Sequence, residues 1–291
     1  MSRRRSGARA LAVALAVGLV LAVVAVAAPN RSIESKTFSL VDSVKSGASI
    51  RCPHGLRATG GGFSAPLPAE FPSGIESAVD APAGRSRWRA DLLSFDPDRK
   101  AKVWAVCAKA PGAKTVRSKT AFTSGSQYAL AAATCPRHTK LIGGGAETKG
   151  PRRMTIIVSA PGTTGPARTR RSWAAVASTT QPASDQSLVA FAICQSHAGK
   201  VKVRFQTKAA GPGRPAEAAL RDGGPRRGTS ISDTFRLDCP GGFELTSGGF
   251  ASADVNAAYD AVRPRGNTWN LDVRHYQNSQ PVTAYAVCRK G

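Results

Sequence analysis

Aromatic residues make up only 6% of this 291-residue chain, so an interior must be assembled mainly from Ala, Val, Leu and Ile. Only four histidines occur, His54, His138, His197 and His275, and no two have metal-ligand spacing on one strand or helix. Cys-x-x-Cys, His-Glu-x-x-His and Gly-x-Ser-x-Gly are absent. Zinc, thioredoxin-type and nucleophile-elbow chemistry therefore lack their usual carriers. Carboxylates number 18, and none recurs at the same position of all three copies. No catalytic, metal or cofactor residue is assigned. No window after residue 30 shows a helical stripe, which argues against helical architectures.

Glycine and proline are plentiful, at 29 and 19 residues, and suit a loop-rich β protein. The formal charge is +23. Arg3, Arg4, Arg5 and Arg9 precede an uncharged apolar stretch from Ala10 to Ala28. This reads as a signal peptide over residues 1–27, with Ala25-Val26-Ala27 as the small-residue cleavage site. The stretch is also long enough to serve as an uncleaved signal anchor, the one route by which the chain would meet a membrane. Without those four arginines, 37 basic residues face 18 carboxylates, leaving +19. A charge of that size attracts polyanions. Six cysteines agree with export, because disulfides persist in an oxidising compartment.

The cysteines punctuate an internal repeat. Cys52, Cys135 and Cys239 are each followed by proline. Each then leads without a gap to a glycine run: Gly60-Gly61-Gly62, Gly143-Gly144-Gly145 and Ser247-Gly248-Gly249. One tryptophan per copy follows, Trp88, Trp173 and Trp269. Each copy closes on aromatic-Ala-aliphatic-Cys, ending at Cys107, Cys194 and Cys288. Upstream, Ser35-Lys36-Thr37 and Ser118-Lys119-Thr120 keep equal distances from their first cysteines, and Lys200 to Lys208 serves as the third copy's version. Landmarks that hold their order define three repeats over 30–110, 113–198 and 200–291. Residues 209–230, rich in Gly, Pro and Ala, read as a flexible insertion in the third. The simplest pairing joins the two ends of each unit: Cys52–Cys107, Cys135–Cys194 and Cys239–Cys288.

Period-two alternation makes the units β. Trp269, Leu271 and Val273 alternate with Asn270, Asp272 and Arg274, and Trp88, Ala90 and Leu92 alternate with Arg87, Arg89 and Asp91. The tryptophans are expected as core anchors, together with Gly61, Gly144 and Gly248. Glycines inside a strand mark a bulge or a close backbone approach. A phosphate loop is disfavoured, because neither a helix nor a Lys-Ser/Thr pair follows. Lys200, Lys202 and Arg204 alternate with Val201, Val203 and Phe205, giving a strand with one basic face. The fold class is all-β. Either three sheets close about a pseudo-threefold axis in a β-prism-like way, or three small sandwiches stand in tandem.

The pairs Arg152-Arg153, Arg170-Arg171 and Arg226-Arg227 fall in loops without interleaved aromatics, and export argues further against a nucleic-acid partner. Asp96-Pro97-Asp98 reads as a turn.

The combination of Cys-Pro, the glycine run ending in Phe63 or Phe250, the tryptophan and Tyr285-Ala286-Val287-Cys288 resembles repeats in uncharacterised secreted actinobacterial proteins. The Cys-Pro…Gly-Phe…Cys portion is similar to vitelline membrane outer layer protein. That resemblance implies a β-prism of three Greek-key sheets about a pseudo-threefold axis, and no functional residue is carried over from it.

Export, positive charge, threefold repetition and the missing catalytic constellations lead to one expectation. The chain is an exported, non-catalytic protein acting at the extracytoplasmic side of the envelope on anionic cell-wall polymers or glycans. Two alternatives stand beside it. One is a lectin or glycan-active enzyme with its site in one repeat, prompted by Glu70, Glu76 and Asp80. The other is a structural envelope component.

Overall fold

Eighteen strands run through the described residues, which contain no helix. The computed structural model describes residues 30–291 other than 66–74, 95–98, 124–125, 151–153, 163–170, 181–182, 184, 209–230, 253–257 and 276–280. The signal segment, the 209–230 insertion, Glu70, Asp96-Pro97-Asp98, Arg152-Arg153, Arg170 and Arg226-Arg227 lie outside the described residues.

Each repeat contributes six strands. The first supplies β1 (Arg31–Ser39), β2 (Lys45–Arg51), β3 (Arg57–Ser64), β4 (Glu76–Pro82), β5 (Arg87–Leu93) and β6 (Lys100–Ala108). The second supplies β7 (Lys114–Ala121), β8 (Tyr128–Thr134), β9 (Lys140–Lys149), β10 (Thr155–Pro161), β11 (Ser172–Ser178) and β12 (Ser187–Gln195). The third supplies β13 (Val201–Lys208), β14 (Ile231–Asp238), β15 (Phe243–Ser252), β16 (Ala258–Arg265), β17 (Thr268–His275) and β18 (Val282–Lys290). They form three six-stranded antiparallel sheets. Sheet I has the order β1-β6-β3-β16-β17-β14, sheet II β13-β18-β15-β10-β11-β8, and sheet III β2-β5-β4-β9-β12-β7.

Every sheet is therefore half one repeat and half another, and the sharing is cyclic. Repeats 1 and 3 make sheet I, 3 and 2 make sheet II, and 2 and 1 make sheet III. The seams are short: Ala261 and Val262 pair with Ser64 and Phe63, Val158 and Ser159 with Ala251 and Phe250, and Val79 and Asp80 with Glu147 and Ala146. One core cluster runs through all three repeats. Prism-like closure on a shared core is thus the architecture, and three tandem sandwiches are not. The sheets do not join into a barrel.

The disulfides join Cys52–Cys107, Cys135–Cys194 and Cys239–Cys288, within one repeat each. No described cysteine is free. Three such bonds are consistent with an oxidising environment.

The glycine run serves three separate contacts, one per residue. A Cβ on the first member would strike the strands that meet at the molecular centre: at Gly60 it meets Ser247, and at Gly143 the carbonyl of Thr59. Thr59 itself donates its hydroxyl to the Thr246 carbonyl at 2.7 Å across that centre. A Cβ on the second member, Gly61, Gly144 or Gly248, would run into the ring of Trp88, Trp173 or Trp269 respectively. On the third, Gly62, Gly145 or Gly249, it would run into the backbone of the neighbouring repeat at Val262, Asp80 or Ser159. A bulge adjoins each run, between Ala58 and Gly60, opposite Ile193 and Cys194, and between Leu245 and Ser247. All three tryptophans are fully buried. Each removes on the order of 200 Å² from water, worth roughly 5 kcal/mol before entropic costs.

The residue five places after each opening cysteine lashes its repeat to the start of the next. Arg57 donates to the Ala113 carbonyl at 2.6 Å and to Thr115 Oγ1 at 2.7 Å. Lys140 Nζ donates to the Gly199 carbonyl at 3.1 Å. In the third copy the sign is exchanged: burial lowers the Arg31 pKa and Glu244 opposes that shift. Arg31 also donates to the Gly266 carbonyl, and the ring of repeats closes there.

The equal spacing of Ser35-Lys36-Thr37 and Ser118-Lys119-Thr120 is not structural equivalence. Lys36 stands opposite Val103, four residues before its closing cysteine, whereas Lys119 stands opposite Val189, five before its own. A one-residue offset reverses the face. Lys36 therefore lies on the core-side register and Lys119 on the outer one.

Candidate functional site

Outward positions differ from sheet to sheet. On sheet III they form a basic groove. Two adjoining hollows of ≈ 520 and ≈ 600 Å³ cross the sheet and share Ala83 and Arg89. The larger has an apolar floor of Val79, Ala81, Val189 and Phe191, flanked by Arg89, Arg117, Lys119 and Lys149. Its walls come from both repeats, because β4 of the first pairs with β9 of the second. The smaller adds Lys45, Ser49 and Arg87 from β2 and β5.

Counted along the outward register, this face carries Lys45, Arg51, Arg87, Arg89, Arg117, Lys119 and Lys149 against Glu76, Asp91 and Glu147. Asp91 departs from the expected water-facing alternation and is only 2% exposed. It lies beneath Lys45 and Arg89, whose side chains reach it at 3.9 and 2.5 Å, and Gly47 leaves the room that its carboxylate fills. Burial lowers the Lys45 pKa and Asp91 opposes that shift. Lys149 reaches Glu147 at 3.5 Å. Arg51, Arg87, Arg117 and Lys119 form no ion pair among the described residues. Arg117 and Lys119 beside the apolar floor, with Arg87 in the adjoining hollow, suit an extended anion with a flat, less polar face.

The basic strand read from the sequence lies elsewhere. Lys200 precedes β13, and Lys202 and Arg204 are exposed on that strand at the edge of sheet II. Their partners are Cys288 and Ala286, both buried, so the two cations share the core-side register at a sheet margin. Lys202 sits 4.7 Å from the Phe243 ring centroid. Val203 and Phe205 point the other way, outward, and Phe205 is 68% exposed. The structure does not bring these cations to the groove. An edge strand has a buried neighbour on one side only, so alternation alone does not settle which of its faces is wet.

The single-repeat carboxylates read from the sequence also separate. Glu76 is half-buried on β4. Asp80 points inward, is almost fully buried, and accepts the Trp88 indole N–H at 2.6 Å. Burial pushes its pKa up to about 7, with the Trp88 hydrogen bond opposing. Ser159 takes the same part for Trp173, at 3.1 Å. Val262 occupies that place in the third copy, and the Trp269 N–H has no partner among the described residues.

Carboxylates gather instead on sheet I, in a ≈ 370 Å³ hollow lined by Asp233, Asp260, Asp272, Arg263 and Arg274, all of repeat 3. Asp260 pairs with Arg274 at 2.7 Å, and burial raises the Asp260 pKa. Among the described residues no three His, Cys, Asp or Glu side chains are grouped to hold a metal ion.

Sequence reasoning passed over Arg117 and Lys119 as binding residues. Their signal was present in the alternation Arg117-x-Lys119, but their meeting with Arg89 depends on pairing between repeats. No family model and no curated protein matches the chain.

Proposed function

We propose that the chain is an exported, non-catalytic protein that binds anionic polymers of the cell envelope through the outer face of sheet III. The observation that supports this most is the groove shared by repeats 1 and 2, in which Arg117 and Lys119 stand over an apolar floor without protein counter-ions. Basic side chains near an anionic surface each contribute about 1 kcal/mol, and salt screens them. The N-terminal stretch and the disulfides support the export half of the reading.

Retention on purified cell wall across a salt series tests it. The double substitution Arg117→Ala/Lys119→Ala is expected to weaken binding by roughly thirtyfold at low salt, through the loss of about 2 kcal/mol. Retention that ignores both salt and the substitution sinks the proposal.

A lectin or glycan-active enzyme with its site in one repeat keeps one supporting observation, the repeat-3 hollow with the raised carboxyl of Asp260 beside Asp272. A carboxyl with a raised pKa near a second carboxylate is the arrangement acid/base cleavage uses. Glycan binding or hydrolysis that disappears in Asp260→Asn would favour it.

A further inference from the structure

The outer face of sheet II is the chemical opposite of the groove. Its outward positions include Val203, Phe205, Tyr285, Val158, Val176 and Leu130. In that register the only charged residues among those described are Glu244 and Arg289, both at one end of the sheet. Arg289 is buried there and donates to Gln195 at 2.9 Å. Ile157, Val158 and Ala160 form an apolar cluster separate from the main core, with Val176, Ala251 and Tyr285 packed against it. Three of the five most exposed large apolar side chains lie on this face: Phe205 at 68%, Tyr128 at 48% and Leu130 at 46%. Its margin is also distinctive. β8 reads YALAAAT and is the one edge strand of the six without a charged residue.

We propose that this face packs against the same face of a second copy of the chain, sheet on sheet, as a two-fold dimer. Charge selects the partner. Two copies, each at +19 without the four N-terminal arginines, repel each other wherever basic faces meet, and on this sheet surface the one outward cation among the described residues, Arg289, is buried. A face whose only charges sit at one end is complementary to itself over the rest, as a two-fold contact requires. A lipid surface fits less well. Interfacial binders ring their apolar side with cations, whereas here cations stand along one margin, Lys202 and Arg204 on β13, and the opposite edge strand β8 carries none.

The area is sufficient. Six strands about 4.8 Å apart and roughly seven residues long cover about 650 Å² per copy, or ~1,300 Å² in the pair. Specific interfaces begin near ~1,200 Å². A two-fold axis along the strands sets the Phe205 margin of one copy over the Tyr128–Leu130 margin of the other, because β13 and β8 are opposite edges.

Sedimentation of the mature chain across a concentration series tests this, comparing wild type with Phe205→Glu/Leu130→Glu. Wild type is expected to pass from monomer to dimer, and the variant to associate at least roughly a hundredfold more weakly. The single Phe205→Ser, at a mostly exposed position, gives the same reading if the double variant fails to fold. The groove variant Arg117→Ala/Lys119→Ala is expected to dimerise like wild type, so failure here is distinct from failure of polymer binding. A wild type that stays monomeric throughout, or a dimer indifferent to both face variants, overturns the proposal. Binding of monomeric wild type to phosphatidylcholine vesicles, lost in Phe205→Glu/Leu130→Glu, overturns it in favour of lipid.

Discussion

Phe191 on sheet III and Tyr285 on sheet II occupy the same place, three residues before a closing cysteine. Arg117 stands beside the first, and Phe205 beside the second. Two residues earlier the contrast continues: Val189 has Lys119 for its neighbour, while Thr283 has Thr207. Inward positions diverge less, the exception being Ser159 and Val262 at the matching place beside the two tryptophans. Trp173 and Trp269 each lie on a glycine, and each disulfide ties the same two points of its repeat. Inward side chains are held by packing from two other sheets, so a change there costs stability. Outward side chains answer only to solvent and partners, so the repeat could keep its frame and give its faces unlike chemistry.

The largest effect expected on that comparison is equality where the frame is concerned. Replacing Cys135 and Cys194 by Ser opens a link spanning 59 residues, and replacing Cys239 and Cys288 opens one spanning 49. Each should cost about 4 kcal/mol, since closure entropy changes slowly with length. Denaturant titration of the two variants checks this, and a gap of several kcal/mol would break the idea of one shared frame. Next, Gly144→Ala under sheet III and Gly248→Ala under sheet II should each destabilise by ~3 kcal/mol, because a buried indole, joined at Gly144 by the Phe191 carbonyl, blocks the new methyl. Matching losses in thermal melts sharpen the comparison.

A smaller effect should separate the two halves. Asp80 holds its proton in the folded chain up to about pH 7, above its ordinary value of 3.8. The folded state thus binds more protons than the unfolded one between those limits, so this carboxyl's contribution falls as pH rises from about 4 to 7 and is level beyond. At ~1.4 kcal/mol per pH unit, even half of the shift amounts to about 2 kcal/mol. Asp80→Asn should remove that slope, whereas Ser159→Ala, at the matching place beneath Trp173, should leave it. Melting temperatures measured from pH 4 to 8 decide, and a wild-type slope unchanged by Asp80→Asn would count against the assignment.

Local chemistry was legible in the sequence and distant pairing was not. The cysteine pairs and the β class depend on residues within one repeat, whose spacing shows in the chain. Sheet sharing depends on two-residue seams such as Val79 with Glu147, which leave no periodic trace. The groove was hidden for that reason, since Arg89 and Arg117 meet only after the seam forms. The reversal of Lys119 relative to Lys36 was hidden too, because the offset lies in how β7 pairs with β12, while the count of residues to the opening cysteine is unchanged. Asp91 misled the alternation because Gly47, on another strand, makes the space that buries it.

Cyclic exchange of strands also orders events during synthesis. Once the second repeat has emerged, sheet III has all its strands, whereas sheets I and II both wait for the third. Until then β1-β6-β3 and β10-β11-β8 are half-sheets with open inner margins, Phe63 on one and Val158 on the other awaiting partners from the third repeat. A chain halted before its final third would present two adhesive edges at once, so delayed translation or early truncation should yield aggregates in place of a smaller soluble protein.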